Sequence, residues 1–212
     1  MNNCHEWSFR PPNKRKYEWS FWEDWLSSEE CDFLVKHAVD NIENFGTATI
    51  LGERNRQGFQ KDSKLLDTEV RRCNTYFFEN RSEDIIWFYE KLAEAIKGHN
   101  ERFFGYDLNG IETVQFSNYD CEDKGFYTQH KDTIDLNFQE RKLSCTIQLT
   151  DEDSYEGGDV IIYTDSFERP TTLCRKRGSI TFFPSYIIHE VKPVTYGIRN
   201  SLVAWVLGPH FK

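Results

Sequence analysis

The chain has 212 residues, of which 38% are hydrophobic and 16% aromatic, so it is long enough and apolar enough to bury a core. Its formal net charge of -9 argues against a general affinity for nucleic acid or for an anionic membrane surface. The first residues lack the apolar run of a signal peptide, and no stretch is apolar for long enough to span a bilayer. We therefore expect a soluble, cytoplasmic protein whose six cysteines are reduced thiols.

Two helices are predicted in the first half of the chain. Ser27 or Ser28 can cap the first helix, which has an acidic first turn and is expected to end at Gly46. Its predicted apolar face consists of Phe33, His37 or Ala38, Ile42 and Phe45. The second helix is predicted from Ser82 to about Asn100. Its predicted buried stripe consists of Ile85, Phe88, Tyr89, Leu92 and Ile96.

The segment between these helices, residues 46–72, is polar and only weakly patterned. A mobile lid or a peptide-binding loop is one interpretation, because such loops often lie beside a site. A surface connection with a short strand or two is the other. If the segment is a lid, Arg71 and Arg72 are its candidate contacts with a substrate.

After Gly110 the apolar residues recur with a period of two, which is typical of strands. The predicted strands are IETVQFSNY, FYTQHKDTI, KLSCTIQLT, DVIIYT, GSITFFP and SLVAWVLG. Turn-forming clusters such as YEGGD separate them. Helices followed by a series of short strands predict a β-sandwich or jelly roll with helices on one side. Because no flexible linker interrupts the chain, we expect one domain over 1–212, with helical support and loops in 1–110 and a β-rich core in 111–208.

A histidine and an aspartate, His130 and Asp132, stand two residues apart in the stretch GFYTQHKDTIDL. In an extended strand both side chains point to the same side, where an imidazole nitrogen and a carboxylate oxygen can share a metal ion. An ordinary surface strand with polar side chains is the alternative. His189, in the β-rich half, is the candidate third ligand. Two histidines and one carboxylate are typical of non-haem Fe(II) oxygenases, whereas zinc more often has a tetrahedral site.

A candidate anion-binding arginine, Arg199, follows His189 ten residues later in the stretch GIRNSLVAW. A guanidinium group can hold a carboxylate through two parallel hydrogen bonds. Ser201 and Trp205 share the strand face of Arg199 by the two-residue period, and would add a hydroxyl group and a pocket wall. Arg199 would otherwise be a surface ion-pair residue. Because the strand is otherwise apolar through Leu207, an unpaired charge there would be costly.

The order and spacing of these motifs, over about residues 111–208, are similar to those of a known family. The run reads Y-(x)-G-x-Y-x-x-H-x-D, in which (x) stands for the residues between Tyr119 and Gly125, then R-x-x-S and GGD, then GSITFFP, then H-x-x-x-P-V-x-x-G-x-R and a tryptophan. The chain resembles the 2-oxoglutarate (2OG)- and Fe(II)-dependent dioxygenases, specifically their prolyl 4-hydroxylase-like branch. The resemblance implies an α+β fold with a double-stranded β-helix (jelly-roll) core and supporting N-terminal helices.

The resemblance also implies a site, with Fe(II), the cosubstrates 2OG and O₂, and ascorbate. The implied iron ligands are His130, Asp132 and His189. The residues expected to bind 2OG are Arg199, Tyr119, Ser144 and Ser201. Tyr127 and Trp205 are expected to line the substrate pocket, and plain core aromatics are the alternative for both. The carboxylate of Asp132 favours hydroxylation, because related halogenases lack it.

The implied reaction is hydroxylation of a peptide or protein, coupled to decarboxylation of 2OG. Two features depart from the family pattern: Arg199 stands where the collagen-type enzymes have lysine, and the segment DCEDKG is slightly longer than in many relatives. A hydroxylase of a free amino acid or other small molecule therefore stays open, as does a non-catalytic binding module. A nucleic-acid demethylase is disfavoured by the negative net charge.

Overall fold

The computed structural model describes residues 17–41, 46–47, 69–79, 83–134, 136, 138–164 and 167–210, with the backbone alone described at 46–47. Cys4, the basic stretch RPPNKRK at residues 10–16 and most of the predicted lid lie outside these residues. The five cysteines within them are free thiols. Neither helix in the described part of the chain has the length and apolarity needed to cross a bilayer.

Fourteen strands, several of them only two or three residues long, form the sheets of the described part of the chain. In chain order they are β1 Ser20–Trp22, β2 Gly46–Thr47, β3 Arg71–Arg72, β4 Asn74–Phe78, β5 Gly110–Asp120, β6 Phe126–His130, β7 Gln139–Gln148, β8 Glu156–Gly157, β9 Val160–Tyr163, β10 Thr171–Thr172, β11 Ile180–Pro184, β12 Ile188–Val191, β13 Val194–Tyr196 and β14 Ile198–Pro209. The larger sheet has the order β1-β11-β7-β14-β5-β4-β2, and the smaller sheet has the order β10-β9-β12-β6-β3. A two-stranded ribbon pairs β13 with β8.

Helix α1, Ser28–Asp40, begins at a capping box. The Glu30 N–H donates to Ser27 Oγ (3.2 Å), and the Ser27 N–H donates to the Glu30 carboxylate (2.8 Å), which satisfies two free helix donors. The predicted end at Gly46 is wrong, because Gly46 pairs with Thr75 as strand β2.

The predicted apolar face of α1 is also largely wrong. The buried residues are Cys31, Leu34 and Ala38, at spacings of three and four, whereas Phe33 is 40% exposed. Only Ala38 was correctly placed in the core, and Ile42 and Phe45 lie outside the described residues.

Helix α2 spans Ile86–His99 and continues as a π-helical turn through Phe104. It starts later than predicted, after the non-helical residue Ile85. The predicted stripe is confirmed at Ile85, Phe88, Leu92 and Ile96, which are buried, while Tyr89 packs against the same core and is partly exposed.

The two faces of the larger sheet carry different chemistry, as β14 shows. Leu202, Ala204 and Val206 pack in the core that the sheet shares with α1 and α2. The alternate residues Arg199 and Ser201 are buried on the opposite face, together with polar side chains of β5 and β7. A second apolar cluster, which includes residues of both sheets, lies on that side. The larger sheet therefore has an apolar face towards the helices and a polar interior face towards the smaller sheet.

This arrangement confirms the predicted α+β fold with a jelly-roll-like core and supporting helices. The first 110 residues contribute more than helices, because β1, β2 and β4 extend the larger sheet and β3 extends the smaller one. The polar interior between the two sheets is the place where the candidate site residues meet.

Candidate metal centre

Two strands and the residue that follows one of them bring three side chains together. His130, the last residue of β6, and His189, on β12, are direct cross-strand partners in the smaller sheet. Asp132 follows the end of β6, and its N–H donates to the Ser185 carbonyl oxygen (2.9 Å). One ligand atom from each of the three side chains lies within 4.8 Å of the others. The structure therefore brings together the three predicted metal ligands.

Backbone hydrogen bonds fix the orientation of both imidazoles. His130 Nδ1 lies 2.7 Å from the Thr128 carbonyl oxygen, and His189 Nδ1 lies 3.0 Å from the Ile187 carbonyl oxygen. Because a carbonyl only accepts, each Nδ1 carries the proton and each Nε2 keeps a free lone pair. The two Nε2 atoms lie 3.7 and 3.5 Å from the Asp132 carboxylate oxygens. This pattern is typical of metal-binding histidines.

The electrostatics of the cluster favour the ionisation states that bind a metal. Burial, and then the neighbouring His189, hold the pKa of His130 well below its usual range. Burial raises the pKa of Asp132, but His189, His130 and the Ser144 hydroxyl together lower this pKa by more, so it lies below its usual range. A neutral imidazole beside an ionised carboxylate is ready to bind a cation without first losing a proton. Two imidazole nitrogens and one carboxylate oxygen fit Fe(II) with open coordination positions.

Ser144 contacts the metal site rather than the arginine. Its hydroxyl donates to Asp132 Oδ2 (2.7 Å) and lies 2.9 Å from the Ser185 hydroxyl. The resemblance implied a contact with 2OG, but the observed contact points to a different role, in which Ser144 fixes the orientation of the Asp132 carboxylate.

Arg199 is buried with most of its hydrogen-bonding capacity unused. The residue is 2% exposed, and Nη2 donates to Gln148 Oε1 (3.0 Å). Among the described residues, Nε and Nη1 of Arg199 and the hydroxyl of Ser201 are buried without a hydrogen-bond partner. Buried donors of this kind are costly unless a ligand satisfies them. The group that satisfies a guanidinium best is a carboxylate.

The GGD motif makes room for the Arg199 stem. Gly158 has a φ of +65°, and a Cβ at this position would lie 2.9 Å from Arg199 Cδ. Both the backbone conformation and the close approach favour glycine at this position. Gly158 therefore helps to define the position of the guanidinium group.

Tyr119 lies beside Arg199, its register partner on the neighbouring strand β5. The Arg199 Cζ atom is 5.4 Å from the centre of the Tyr119 ring. Burial raises the pKa of Tyr119, so the phenol stays protonated and can donate a hydrogen bond to an anion.

The two predicted pocket aromatics lie against charged or metal-binding groups. The Tyr127 ring stacks on the His130 imidazole, with centroids 3.5 Å apart and planes 16° from parallel. Trp205 is buried, and the Arg141 Cζ atom lies 3.9 Å from its ring centre. The Arg141 guanidinium in turn binds both oxygens of Glu112, at 2.6 and 2.8 Å. Trp205 is thereby held by a charged pair on the neighbouring strands.

Gln148 and Ser185 contact the site and were missed from the sequence. Gln148 lies four residues after Ser144 on β7, so the two-residue period could have placed it on the same face. Ser185 acts through its carbonyl oxygen and its hydroxyl at the end of β11, and no residue pattern indicated that contact.

Comparison with known proteins supports the same interpretation. Residues 114–207 match the model of the 2OG-Fe(II) oxygenase superfamily. Over 85 residues the chain is 40% identical to a PKHD-type hydroxylase from Synechococcus sp. (strain CC9311), a match that covers 40% of this chain and 38% of that protein. The chain thus spans less than half the length of this curated relative. The predicted resemblance to the 2OG- and Fe(II)-dependent oxygenases is confirmed over this segment.

Solved structures confirm the fold over most of the chain. A prolyl-4-hydroxylase from Pseudomonas putida superposes with a TM-score of 0.68 at 16% identity, covering 92% of this chain and 94% of that one. A prolyl hydroxylase from Trichoplax adhaerens, solved with a hypoxia inducible factor peptide fragment, superposes with a TM-score of 0.72 at 15% identity, covering 90% of this chain and 84% of that one. The fold is therefore that of the prolyl hydroxylases.

Proposed function

We propose that this chain is an Fe(II)- and 2OG-dependent dioxygenase that hydroxylates a peptide or protein substrate. The observation that carries the proposal is the meeting of three metal-binding side chains with a buried arginine whose donors lack partners. A purely structural role would require neither the free imidazole lone pairs nor the unused guanidinium donors.

In this proposal His130, Asp132 and His189 hold the ferrous ion. When bound, the metal supplies the oxygen chemistry, which couples decarboxylation of 2OG to succinate with hydroxylation of the substrate, and ascorbate serves as reductant. The backbone carbonyls that accept from the two imidazoles keep the Nε2 lone pairs directed at one point. Ser144 holds Asp132 in the orientation that completes the set.

Arg199 binds the distal carboxylate of 2OG in this proposal. Its free Nε and Nη1 donors would pair with the carboxylate, while Gln148 holds Nη2 and so fixes the plane of the guanidinium group. The Ser201 hydroxyl and the Tyr119 phenol supply further donors nearby. Tyr127, which is partly exposed, and Trp205, which is buried, line the substrate side in this proposal and limit the access of water to the metal.

A peptide substrate is supported by the likeness to a prolyl hydroxylase that was solved with a peptide. Proline is the first residue to test, and a free amino acid or other small molecule is the second. We also propose that residues 1–212 act as one domain, because strands of the first 110 residues pair with strands of the remainder. The cytoplasmic location and the lack of a nucleic-acid partner stay predictions.

The test is succinate formation from 2OG with Fe(II), ascorbate and O₂, with and without proline-containing peptides. We expect slow turnover without peptide, and faster turnover with a peptide that gains the mass of one oxygen on proline. His130→Ala should abolish both activities, whereas His210→Ala, a change of an exposed histidine at the chain end, should not. If the iron-loaded wild-type protein forms no succinate under any of these conditions, the chain is a binding module.

A further inference from the structure

A second buried arginine lies near the proposed metal centre. Arg71, on the edge strand β3, is 8% exposed and pairs in register with Tyr127 of β6. Its Nε donates to Cys73 Sγ (3.0 Å), and its Nη2 lies at the long distance of 3.5 Å from Ser117 Oγ. Within the described part of the chain, no carboxylate lies within ion-pair distance of it. Its positive charge is therefore buried against neutral groups.

Arg71 belongs to the same wall as the metal ligands. Its Cζ atom lies 4.7 Å from the centre of the Tyr127 ring, and the same ring stacks on the His130 imidazole with centroids 3.5 Å apart. A guanidinium group, a phenol ring and a metal-binding imidazole thus form a continuous series of contacts. A ligand group at Arg71 would lie beside the proposed substrate pocket.

Arg199 lies in the same polar region as Arg71, since both guanidinium groups act on Tyr119 and Cys73, but its hydrogen bonds differ. It contacts Gln148 of β7 and the Gly158 backbone, whereas Arg71 contacts Cys73, Ser117 and the Tyr127 ring. The unpartnered hydroxyl of Ser201 lies on the same strand as Arg199, and Ser117, which Arg71 contacts, is the register partner of Ser201. The two guanidinium groups therefore line one polar region, in which Arg71 lies against the Tyr127 ring and Arg199 is held by Gln148.

The proposed site would hold more positive charge than Asp132 and the two carboxylates of 2OG can neutralise. With a divalent metal ion bound, Asp132 would contribute one negative charge against that ion and two guanidinium groups. The two carboxylates of 2OG would be used at the metal and at Arg199. One positive charge then remains at Arg71, and a cation–aromatic contact compensates for the loss of hydration only in part.

We propose that Arg71 binds a carboxylate of the substrate and so selects acidic substrates. The inference rests on the proposed function, because it assigns the substrate class of that same site. The carboxylate is either an acidic side chain or chain end of a peptide, or part of a free carboxylic acid. A guanidinium group recognises both sources by the same two parallel hydrogen bonds.

The first test measures binding without turnover. The protein is loaded with Mn(II), which substitutes for iron and relaxes nearby protons, and is saturated with 2OG. Methyl-proton relaxation is then followed as acetate or its neutral analogue acetamide is added. We expect saturable relaxation of acetate alone in the wild type, its loss in Arg71→Gln, and its partial retention in Arg71→Lys, which keeps the charge. Arg102→Gln, which removes an exposed arginine that also contacts an aromatic ring, should bind acetate like the wild type.

The second test distinguishes the two sources of the carboxylate. Pairs of proline-containing peptides that differ by glutamate or glutamine at one position, and free glutamate or glutamine, are compared as stimulators of succinate formation. If the substrate is a peptide, the glutamate peptide should stimulate succinate formation at about tenfold lower concentration than its glutamine counterpart; if it is a free acid, glutamate should do so relative to glutamine. Arg71→Gln should remove that difference.

The proposal is overturned if acetate and acetamide behave alike, or if Arg71→Gln, with unchanged near-ultraviolet circular dichroism, binds acetate like the wild type. It is also overturned if Arg71→Gln mainly raises the concentration of 2OG needed for substrate-free turnover, since Arg71 would then bind the cosubstrate. Failure of the proposed function gives a different result, because the wild type would then form no succinate with any substrate, whether or not it binds Mn(II) and acetate.

Discussion

His130 and His189 face each other across the β6–β12 pair, and each donates its Nδ1 proton to the carbonyl oxygen two residues before it. The same local hydrogen bond on both strands leaves both Nε2 atoms free and directed at Asp132. A slip of one residue in this register would send one imidazole to the other face of the sheet. The metal centre therefore depends on strand pairing as much as on the identity of the three ligands.

Replacement of Arg199 tests the proposed cosubstrate site. Arg199→Gln should raise the 2OG concentration for half-maximal succinate formation by about tenfold or more, because a charge-assisted pair contributes roughly 1.5–3 kcal/mol. The affinity for Fe(II) should change little, since Arg199 contacts Gln148 and not the metal ligands. An unchanged dependence on 2OG would remove Arg199 from its proposed role.

Ser144→Ala separates the observed contact from the role that the resemblance implied. Because the Ser144 hydroxyl donates to Asp132, we expect about 10- to 100-fold weaker Fe(II) binding, measured by anaerobic titration, with a smaller effect on 2OG. The control is Ser179→Ala, which removes another buried hydroxyl, one that lacks a partner among the described residues. Normal iron binding with weakened 2OG binding would instead favour the contact with 2OG.

Gly158→Ala should displace the Arg199 stem. The new methyl group would meet Arg199 Cδ at 2.9 Å on a backbone with φ +65°, so we expect lower thermal stability together with weaker 2OG binding. Gly98→Ala is the matched control, because nothing lies within 4 Å of its Cβ position on α2. That change should stabilise the protein by about 0.5–1 kcal/mol and leave 2OG binding unchanged. Equal 2OG affinities in the two variants would contradict the role of Gly158.

Ser27→Ala tests the folding of the helical support apart from the site. Loss of the capping box should lower the free energy of unfolding by about 1 kcal/mol, measured by urea denaturation. Ser28→Ala, one position into the helix, should change it by much less. Iron binding by the folded Ser27→Ala protein should equal that of the wild type, since α1 packs on the apolar face of the larger sheet. A change in iron affinity would show that α1 and the metal centre are coupled.

The sequence allowed prediction of which three side chains meet, because strand alternation constrains the H-x-D pair and His189 is the other histidine of the β-rich half. The H-x-D pair and the ten-residue interval from His189 to Arg199 each depend on local geometry, namely the two-residue period and one tight turn at Gly197. The six longer strands predicted after Gly110 followed from the same period and from the turn residues between them, whereas strand β12 and the order of the strands within each sheet did not.

Contacts between distant segments could not be read in this way. The sequence did not show whether the Ser144 hydroxyl would contact Asp132 or a bound 2OG. The pairing of β7 with β11 places this hydroxyl beside Asp132. The end of α1 was misplaced because glycine commonly terminates helices, whereas Gly46 here pairs in the edge strand β2. The buried position of Arg71 depends on the pairing of β3 with β6, which its polar surroundings in the sequence did not indicate.

Anaerobic titration with Fe(II) tests the existence of the metal centre most directly. The wild-type protein should bind about one ferrous ion per chain, and His130→Ala, Asp132→Ala and His189→Ala should each weaken that binding by more than about 100-fold, whereas His210→Ala should not. Wild-type affinity in any one of the three ligand variants, or no saturable binding in the wild type, would contradict the shared metal centre.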